Sequence, residues 1–367
     1  MPAADATLMI YLGRSRLHRM RANLIQTVHT VGAIHRLGQP ITLVLPRGRL
    51  FEDKRAAIAT VGGDPAIDLR TSVLMRPGLG FGPYLRLHAK RLRAAGAVYT
   101  RVPEIALALG RADIPHHLEV HDVEGLTASG QLAPLVALHR AGTLRTLIPI
   151  SQPAVGMLAD AGADADRIHV APSGVSVSGY AGVPAFDAAS LDRPRIVNLG
   201  QLNPNRGLAV FDAVARSGLA QVDLVGRMDR AASALAALPG VTAHAPVPPG
   251  EVPGWYAKCD LVLLPYQAGH SRARSFSPIK LFEAMAAGRP ILASDLPSIR
   301  GAVTHEHDAL LLPHDDPAAW VDAIKRLQAD RDLAQHLASN AKENARRYDW
   351  SARAGGILRA IGLRDAD

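Results

Sequence analysis

The segment Arg274–Arg300 holds the residue types best suited to chemistry. Ser277 followed by Pro278 is typical of a helix start, because serine can cap a helix and proline at its first position needs no N–H partner. The unpaired N–H groups that follow and the helix dipole would then face an anion. Glu283 lies further along this helix, which Gly288 ends, and its carboxylate could bind sugar hydroxyls. Together these features suit a nucleotide diphosphate.

Each of these patterns also has an ordinary structural explanation. A helix start that could hold an anion is common in proteins. Taken alone, Glu283 is more typical of a helix residue that faces solvent. Only the surrounding sequence favours the binding role.

Positive charge is concentrated in the first third of the chain. Residues 1–101 hold 16 Lys and Arg against five Asp and Glu, an excess of 11, although the whole chain has a net charge of only +8. Such an excess needs an acidic lipid, polymer, nucleotide or nucleic acid as partner. Three of these arginines, Arg14, Arg19 and Arg21, stand before the first helix, where they could contact a phosphorylated acceptor.

A second basic group lies in residues 84–93. Arg86, Lys90 and Arg93 recur at helical spacing, beside a stripe of Leu85, Ala89 and Leu92. This pattern is typical of a basic amphipathic helix on anionic lipid. It is equally typical of a solvated helix whose apolar stripe packs on a sheet.

Short strand-like runs alternate with helical patterns along the chain. In the first series we expect strands at 7–12, 41–45, 66–69, 97–100, 117–120, 144–150 and 168–171. In the second series we expect them at 195–199, 221–225, 241–244, 260–264, 290–293 and 309–312. Leu24, Val28, Val31 and Ile34 predict the first helix, and Asp316 predicts the start of a late one.

This order predicts βαβ crossovers and an α/β fold of two doubly wound parallel-sheet domains. The segment 173–193, rich in Gly, Ser, Ala and Pro, is the best candidate for the linker. We therefore expect domains at 1–175 and 190–349, with the helix at about 350–367 packing back on the first. Chemistry should lie in the cleft between them, at the carboxyl ends of the strands.

Several classes of protein are excluded. One cysteine, Cys259, rules out a disulfide scaffold and a Cys-based metal site, and is expected to be buried. No run of 18 apolar residues is present, and the first residues lack the pattern of a signal peptide. The expected location is the cytoplasm. Asp164–Asp166 and His305–His307 have ligand-like residues, but both stand at expected turns, so no metal is predicted.

Taken together, the motifs resemble the retaining glycosyltransferases of family 4, which have the GT-B fold of two Rossmann-like domains. The resemblance covers nearly the whole chain, in the family's order. The matching stretches are 21–38 with the strand after it, 119–122 (EVHD), 150–151, 168–175, 200–207 (GQLNPNRG), 255–265 and 274–300.

The resemblance implies a role for each matching residue. Glu283 would bind the ribose, Arg206 the leaving diphosphate, and Gly13 would lie close to phosphate and acceptor. His121 would lie near the reacting sugar, although a satisfied histidine at a strand end is a comparable explanation. The remaining residues expected at the nucleotide-sugar donor are Gln201, Asn203, Ser275, Ser277, Pro278, Ile279 and Lys280.

Two residues depart from the family pattern. Ser275 stands where the first Glu of the Glu-x7-Glu motif is expected, and Gln201 stands where an Arg is usual. The first change removes a carboxylate from the sugar site, and the second removes a positive charge from the diphosphate site. Arg206 and the helix start remain.

The sequence therefore predicts a metal-independent glycosyltransferase that uses a UDP- or GDP-sugar, needs no cofactor and acts on a glycan or lipid-linked acceptor, with an anionic membrane surface as a further partner. Peripheral attachment at the inner face of the cell membrane is part of this expectation. The alternative is a catalytically weak GT-B protein that binds a sugar nucleotide and acts as a scaffold. Nucleic-acid binding is not favoured, since no such motif is present and only 4% of residues are aromatic.

Overall fold

A computed structural model of the chain describes residues 8–17, 22–48, 53–75, 81–269 and 272–365. The chain divides into two compact units. The first contains residues 1–173 and 350–367, and the second contains residues 174–349.

The first unit is built on a parallel sheet. Its strands are β1 Met9–Leu12, β2 Ile41–Pro46, β3 Asp68–Ser72, β4 Ala97–Thr100, β5 His116–Val120 and β6 Leu144–Pro149. Their order across the sheet is β3-β2-β1-β4-β5-β6, and every pairing between these strands is parallel. The helices are α1 Ala22–Arg36, α2 Lys54–Thr60, α3 Gly82–Ala94, α4 Pro103–Arg111, α5 Val123–Ala128, α6 Leu132–Arg140, α7 Gln152–Asp160 and α15 Trp350–Ala360.

Helices cover both faces of this sheet, as the buried strands require. Met9 and Tyr11 of β1 pack in one core with α1 and α15, while Ile10 and Leu12 pack in another with α3 and α4. Helix α15 lies directly on α1, where Trp350 stacks on His29 at 5.4 Å between ring centroids.

The second unit repeats this plan. Its strands are β7 Arg195–Leu199, β8 Gln221–Val225, β9 Val241–His244, β10 Val262–Leu264, β11 Ile291–Ser294 and β12 Leu310–Leu312. Two parallel groups, β7-β8-β9 and β10-β11-β12, are joined by a bridge between Ile196 and Leu261. The helices are α8 Leu208–Ser217, α9 Arg230–Leu235, α10 Val252–Ala257, α11 Ile279–Ala286, α12 Pro297–Arg300, α13 Pro317–Ala329 and α14 Arg331–Asn344.

Both units therefore have the strand order 3-2-1-4-5-6, in which the chain reverses direction across the sheet between the first and fourth strands. This reversal leaves a crevice at the carboxyl ends of those strands, where ligands of such sheets bind. The α/β fold class predicted from the sequence is confirmed.

Several local predictions differ from the structure, and in three of them the physical reason is clear. The segment 168–171 is not a strand and makes only an edge contact with β6, because Pro172 follows and the chain leaves the sheet. Strand β3 begins at Asp68 rather than 66, because the Asp64 carboxylate accepts a hydrogen bond from the Ala66 N–H and holds a turn there. The expected linker is packed from Gly174 onward into the second unit, with Tyr180 and Leu191 buried.

Candidate functional site

The candidate donor site lies in the second unit, at the reversal between β7 and β10. The loop after β7 contains Gln201, Asn203 and Arg206, and the loop after β10 leads to α11. The two loops are tied together, since the Gln267 N–H donates to the Asn205 carbonyl at 3.2 Å.

Two glycines allow these loops to pack closely. Gly207 has a φ of +82°, and a Cβ there would lie 2.1 Å from Cγ of Pro265 in the loop after β10. Gly226, after β8, has a φ of +145°, and a Cβ there would lie 2.1 Å from the Gly200 carbonyl oxygen. Any other residue would push the loops apart.

Arg206 ends a 3-10 turn over Pro204–Arg206 and is half-buried. It lines a small cavity together with Gln201, Tyr266 and Lys280. Burial raises the pKa of Tyr266 to about 12, a shift that the positive charge of Arg206 opposes and the negative charge of Glu283 reinforces. The predicted cation and the predicted carboxylate therefore both act on one tyrosine.

Two side-chain amides at this edge each have one buried polar atom without a hydrogen-bond partner among the described residues. The Asn203 side-chain oxygen and the Asn198 side-chain nitrogen are buried without a hydrogen bond. Asn198 lines the same cavity as Arg206. Buried polar groups normally find a partner, so a polar ligand could supply one here.

Helix α11 begins at Ile279, and Pro278 occupies its N-cap position without a side-chain cap. The prediction that Ser277 caps this helix is wrong, because the helical backbone starts one residue later than proline at the first position would require. Lys280 lies in the first turn, and Tyr256 on α10 donates its hydroxyl to the Lys280 carbonyl at 3.3 Å. The N-cap residue of α11 therefore provides no side-chain acceptor for the first N–H groups of this helix.

Glu283 lies one turn into α11, with 15% of its side chain exposed. Its carboxylate accepts a hydrogen bond from the Lys280 ammonium at 2.8 Å. Burial raises the pKa of Tyr180 and of Tyr256, and the negative charge of Glu283 adds to both shifts. Glu283 is thus a partly covered carboxylate within a group of tyrosines, and these tyrosines had no signal in the sequence.

Ser275 is fully buried, on the turn that leads to α11. Its N–H donates to the Arg272 carbonyl at 3.1 Å. A serine in this position cannot reach where a glutamate side chain would extend. Arg274 beside it is exposed.

The reversal of the first unit, between β1 and β4, holds Gly13. Its N–H donates to the Val44 carbonyl at 2.9 Å, and a Cβ there would lie 2.6 Å from a methyl of Leu45. Arg14 is exposed and pairs with Glu104 at the start of α4 at 3.4 Å. Arg19 and Arg21 lie outside the described residues.

His121 follows β5, with 13% of its side chain exposed, and both ring nitrogens are engaged. Nε2 lies 2.5 Å from Oε1 of Glu119, and Nδ1 lies 3.0 Å from a guanidinium nitrogen of Arg101. Burial and the charge of Arg101 lower the pKa of His121 to about 4, and Glu119 opposes that shift. The imidazole is therefore neutral at pH 7.

A cavity of about 250 Å³ opens beside His121. Polar side chains from three elements line it, namely Arg101, His121, Asp122 and Gln131, and Pro103 and Leu126 supply apolar walls. It lies at the carboxyl ends of β4 and β5, where a ligand of this sheet would bind.

The basic face of α3 is formed by Arg86, Lys90 and Arg93, all of which are exposed. Arg93 also donates to the Ala112 carbonyl at 2.7 Å. Leu85 and Leu92 are buried in the core of the first unit, so the apolar stripe packs on the sheet, as the second explanation predicted. Leu87, 69% exposed, is the apolar residue that accompanies the basic face.

Within the described ranges, no three His, Cys, Asp or Glu side chains come together as a metal site requires. Asp164 caps a short 3-10 turn and pairs with Arg167, and Glu306 pairs with Arg326. Cys259 is buried, as predicted, and burial raises its pKa to about 12. No helix among the described residues is long and apolar enough to span a bilayer.

Two doubly wound parallel-sheet units, each with the strand order 3-2-1-4-5-6, define a protein of GT-B architecture. Crystal structures with this fold cover nearly the whole chain. HepE (Alr3699) of Anabaena in complex with UDP-glucose aligns with a TM-score of 0.73 at 17% identity, over 97% of this chain and 100% of that one. Sucrose-phosphate synthase of Thermosynechococcus elongatus aligns with a TM-score of 0.73 at 15% identity, over 96% and 98%.

Residues 193–330 match the sequence model of the family Glycosyl transferases group 1. Phosphatidyl-myo-inositol mannosyltransferase of Mycolicibacterium smegmatis is 28% identical over 73% of this chain and 75% of its own. D-inositol 3-phosphate glycosyltransferase of Xylanimonas cellulosilytica is 30% identical over 54% of this chain. The alignment spans about half the length of that relative, 51%.

Proposed function

We propose that this chain is a retaining glycosyltransferase that moves a sugar from a nucleoside diphosphate-sugar to a phosphorylated glycan or lipid-linked acceptor. One observation carries the proposal. At the reversal of the second sheet, the cations Arg206 and Lys280 line one cavity, and the Glu283 carboxylate lies one turn along the helix that begins beside it.

The diphosphate would lie against these cations and the start of α11, where the N-cap residue Pro278 offers no side-chain cap. A guanidinium can hold two phosphate oxygens at once, and helix N–H groups add donors without a further charge. Since the negative charge on the diphosphate grows as the sugar leaves, these groups stabilise the transition state more than the bound donor. Their positive charge neutralises the leaving diphosphate, for which other enzymes use a metal ion.

Glu283 would bind the ribose hydroxyls. Lys280 now occupies one of its oxygens, so ribose binding would release the ammonium toward the phosphates. The side-chain nitrogen of Asn198 and the side-chain oxygen of Asn203, both buried without a partner among the described residues, would find partners in the same ligand. HepE was crystallised with UDP and with UDP-glucose, which favours UDP as the nucleotide.

The acceptor would bind to the first unit, in the cavity beside His121. In retaining transfer of this kind, the leaving phosphate takes the proton of the acceptor hydroxyl on the same face of the sugar. Because His121 is neutral and both its nitrogens are engaged, it would orient the reacting groups without acting as a base. The two relatives are named for phosphorylated inositol substrates, which supports an acceptor that carries phosphate.

Binding to a membrane surface would follow from the exposed basic face of α3. With the apolar stripe of α3 in the core, attraction to anionic lipid would be mainly electrostatic, with Leu87 as the inserted residue. The corresponding location is the cytoplasmic face of the membrane, to which the enzyme would attach peripherally.

Thermal unfolding with candidate nucleotides tests the proposal first. A nucleotide at 100 times its Kd stabilises the native state by about 2.7 kcal/mol, so UDP or GDP should raise the Tm while AMP should not. Transfer from the matching nucleotide-sugar should continue in EDTA. If no nucleoside diphosphate raises the Tm, the proposal is wrong, and strict dependence on a divalent ion would overturn its phosphate chemistry.

A scaffold that binds the nucleotide-sugar but transfers slowly is the second candidate. The buried Ser275 favours it, because this side chain leaves the donor sugar without the carboxylate expected there. A raised Tm with UDP-glucose, together with neither hydrolysis nor transfer, would identify this case.

A further inference from the structure

Glu119 is a buried carboxylate near the end of β5, with 2% of its side chain exposed. Three side chains donate to it. The Tyr99 hydroxyl donates to Oε2 at 2.6 Å, and both Arg353 and His121 donate to Oε1, at 2.9 and 2.5 Å. A buried charge is tolerated only when it is paired and hydrogen-bonded in this way.

Arg353 comes from α15, far along the chain from the strand that it contacts. Its side chain is 4% exposed and makes two further hydrogen bonds, to the Pro172 carbonyl at 2.7 Å and to the Thr30 hydroxyl at 2.9 Å. The guanidinium is thus held by three groups: Thr30 on α1, Pro172 near the end of residues 1–173, and Glu119 on β5.

The hydrogen bonds of His121 determine which nitrogen carries its proton. Arg101 only donates, so Nδ1 must accept, and the proton lies on Nε2, which donates to Glu119. Arg101 is itself oriented by the Gln26 side-chain oxygen at 2.9 Å and the Asn23 carbonyl at 3.2 Å. The ring is therefore fixed at both edges, beside the cavity of about 250 Å³.

We infer that Arg353 is a positioning residue for His121: through Glu119 it holds the ring neutral, in the Nε2–H form and in one orientation toward the cavity. The charges facing the ring come from Arg101 at the end of β4, Glu119 on β5 and Arg353 on α15, with Asp122 next to it in the chain. The two cations Arg101 and Arg353 surround the buried Glu119 carboxylate. This balance of charge keeps a single proton on the His121 ring, on the nitrogen that donates to Glu119. The consequence for turnover rests on the proposed function, but the state of the ring does not.

Removing Arg353 leaves Glu119 with less positive charge around it. The carboxylate then favours a second proton on the ring it contacts, so His121 should become an imidazolium at higher pH. A residue that merely filled space in α15 would change the stability of the unit without changing the titration of a histidine on β5.

The experiment is a pH titration by NMR of the full chain with ¹⁵N-labelled histidine, with the His121 signals assigned by their loss in His121→Asn. In the wild type, the ring should be neutral and protonated on Nε2 at pH 7. In Arg353→Met, its proton affinity should rise at least 10-fold. In Arg353→Lys, which keeps the charge, the ring should stay neutral. Arg359→Met is the matched control, since Arg359 is an exposed arginine on the same helix.

A folded Arg353→Met chain with an unchanged His121 titration would overturn the inference, as would a wild-type ring protonated on Nδ1. If Arg353→Met does not fold, Glu119→Gln decides the question. It removes the negative charge that favours a proton on His121, so the proton affinity of the ring should fall, and an unchanged His121 titration in that variant would equally overturn the inference.

Turnover provides a separate measurement, with UDP-glucose as the probe. Arg353→Met should lower kcat about 100-fold, because small displacements at a reacting centre have effects of this size, and should leave UDP binding by the second unit unchanged. If the wild type uses no UDP- or GDP-sugar while the NMR results hold, the proposed function fails and the positioning role stands.

Discussion

At the scale of single residues, Glu283 shows how much its surroundings determine what a side chain can do. Its carboxylate is 15% exposed, paired with Lys280 and close to tyrosines whose pKa is raised by burial and further by its negative charge. Exposed helix carboxylates of this chain, such as Glu343, also pair with a basic neighbour, so what distinguishes Glu283 is its low exposure and its surrounding tyrosines. Its binding role stays a prediction.

Replacing Glu283 with Ala should weaken UDP binding by about 1–3 kcal/mol, the range for losing a hydrogen bond to a charged group. Isothermal titration calorimetry measures the change. Glu251→Ala, at an exposed site of the same unit, is the control and should bind as the wild type does. Equal affinity in Glu283→Ala would remove this residue from the site.

Arg206 should affect turnover more than donor affinity, since the charge it faces grows as the diphosphate leaves. Arg206→Ala should therefore lower kcat with a smaller change in the Kd for the donor. Arg216→Ala, on the exposed surface of α8, should leave both unchanged. A normal kcat with only a raised KM would contradict the role.

At the scale of elements, the sequence predicted most strands and helices but fewer of the contacts between them. Alternation of apolar runs located β4, β7, β8 and β9 with their observed bounds. The hydrogen bond between Glu119 and His121 could have been predicted from the sequence, because residues two apart on a strand share a face. Arg353 could not, since no local pattern shows which strand a distant helix will reach.

Helix α3 supports a prediction about surfaces. Changing Arg86, Lys90 and Arg93 together to Glu should abolish binding to anionic vesicles, because each basic residue near such a surface contributes about 1 kcal/mol. Co-sedimentation at low and high salt measures it, and wild-type binding should weaken as salt screens the charges.

A charge-matched control reverses three exposed basic residues of the second unit, Arg216, Arg230 and Lys325. It should still sediment with the vesicles. Wild type that stays in the supernatant at low salt would show that the face of α3 serves another partner. UDP binding and Tm identify any variant that fails through misfolding.

At the scale of the whole molecule, buried histidines make the first unit sensitive to acid. Burial lowers the pKa of His116 to about 4 and that of His117 to about 3. In the unfolded chain these histidines have the ordinary pKa near 6.5, so they bind protons at a higher pH than in the folded chain. The free energy of unfolding therefore keeps its full value above pH 6.5 and decreases as the pH falls toward 4.

By pH 5, each such histidine should cost about 2 kcal/mol of the stability measured at pH 7. Unfolding by urea across this range should show the loss, and His117→Asn should reduce it, while His336→Asn at an exposed site should not. A pH dependence identical in His117→Asn and the wild type would rule this residue out as a source.

The return of α15 to the first unit has a consequence for synthesis. A ribosome makes residues 1–173 first, yet Glu119 then has no Arg353 and the surface of α1 has no Trp350. The second unit, which is continuous, can finish folding while the first still waits for its last helix. The nascent first unit must therefore persist with a buried carboxylate short of a counter-charge and an uncovered apolar face. Nascent chains stalled before residue 350 should be digested by protease in this unit well before the second.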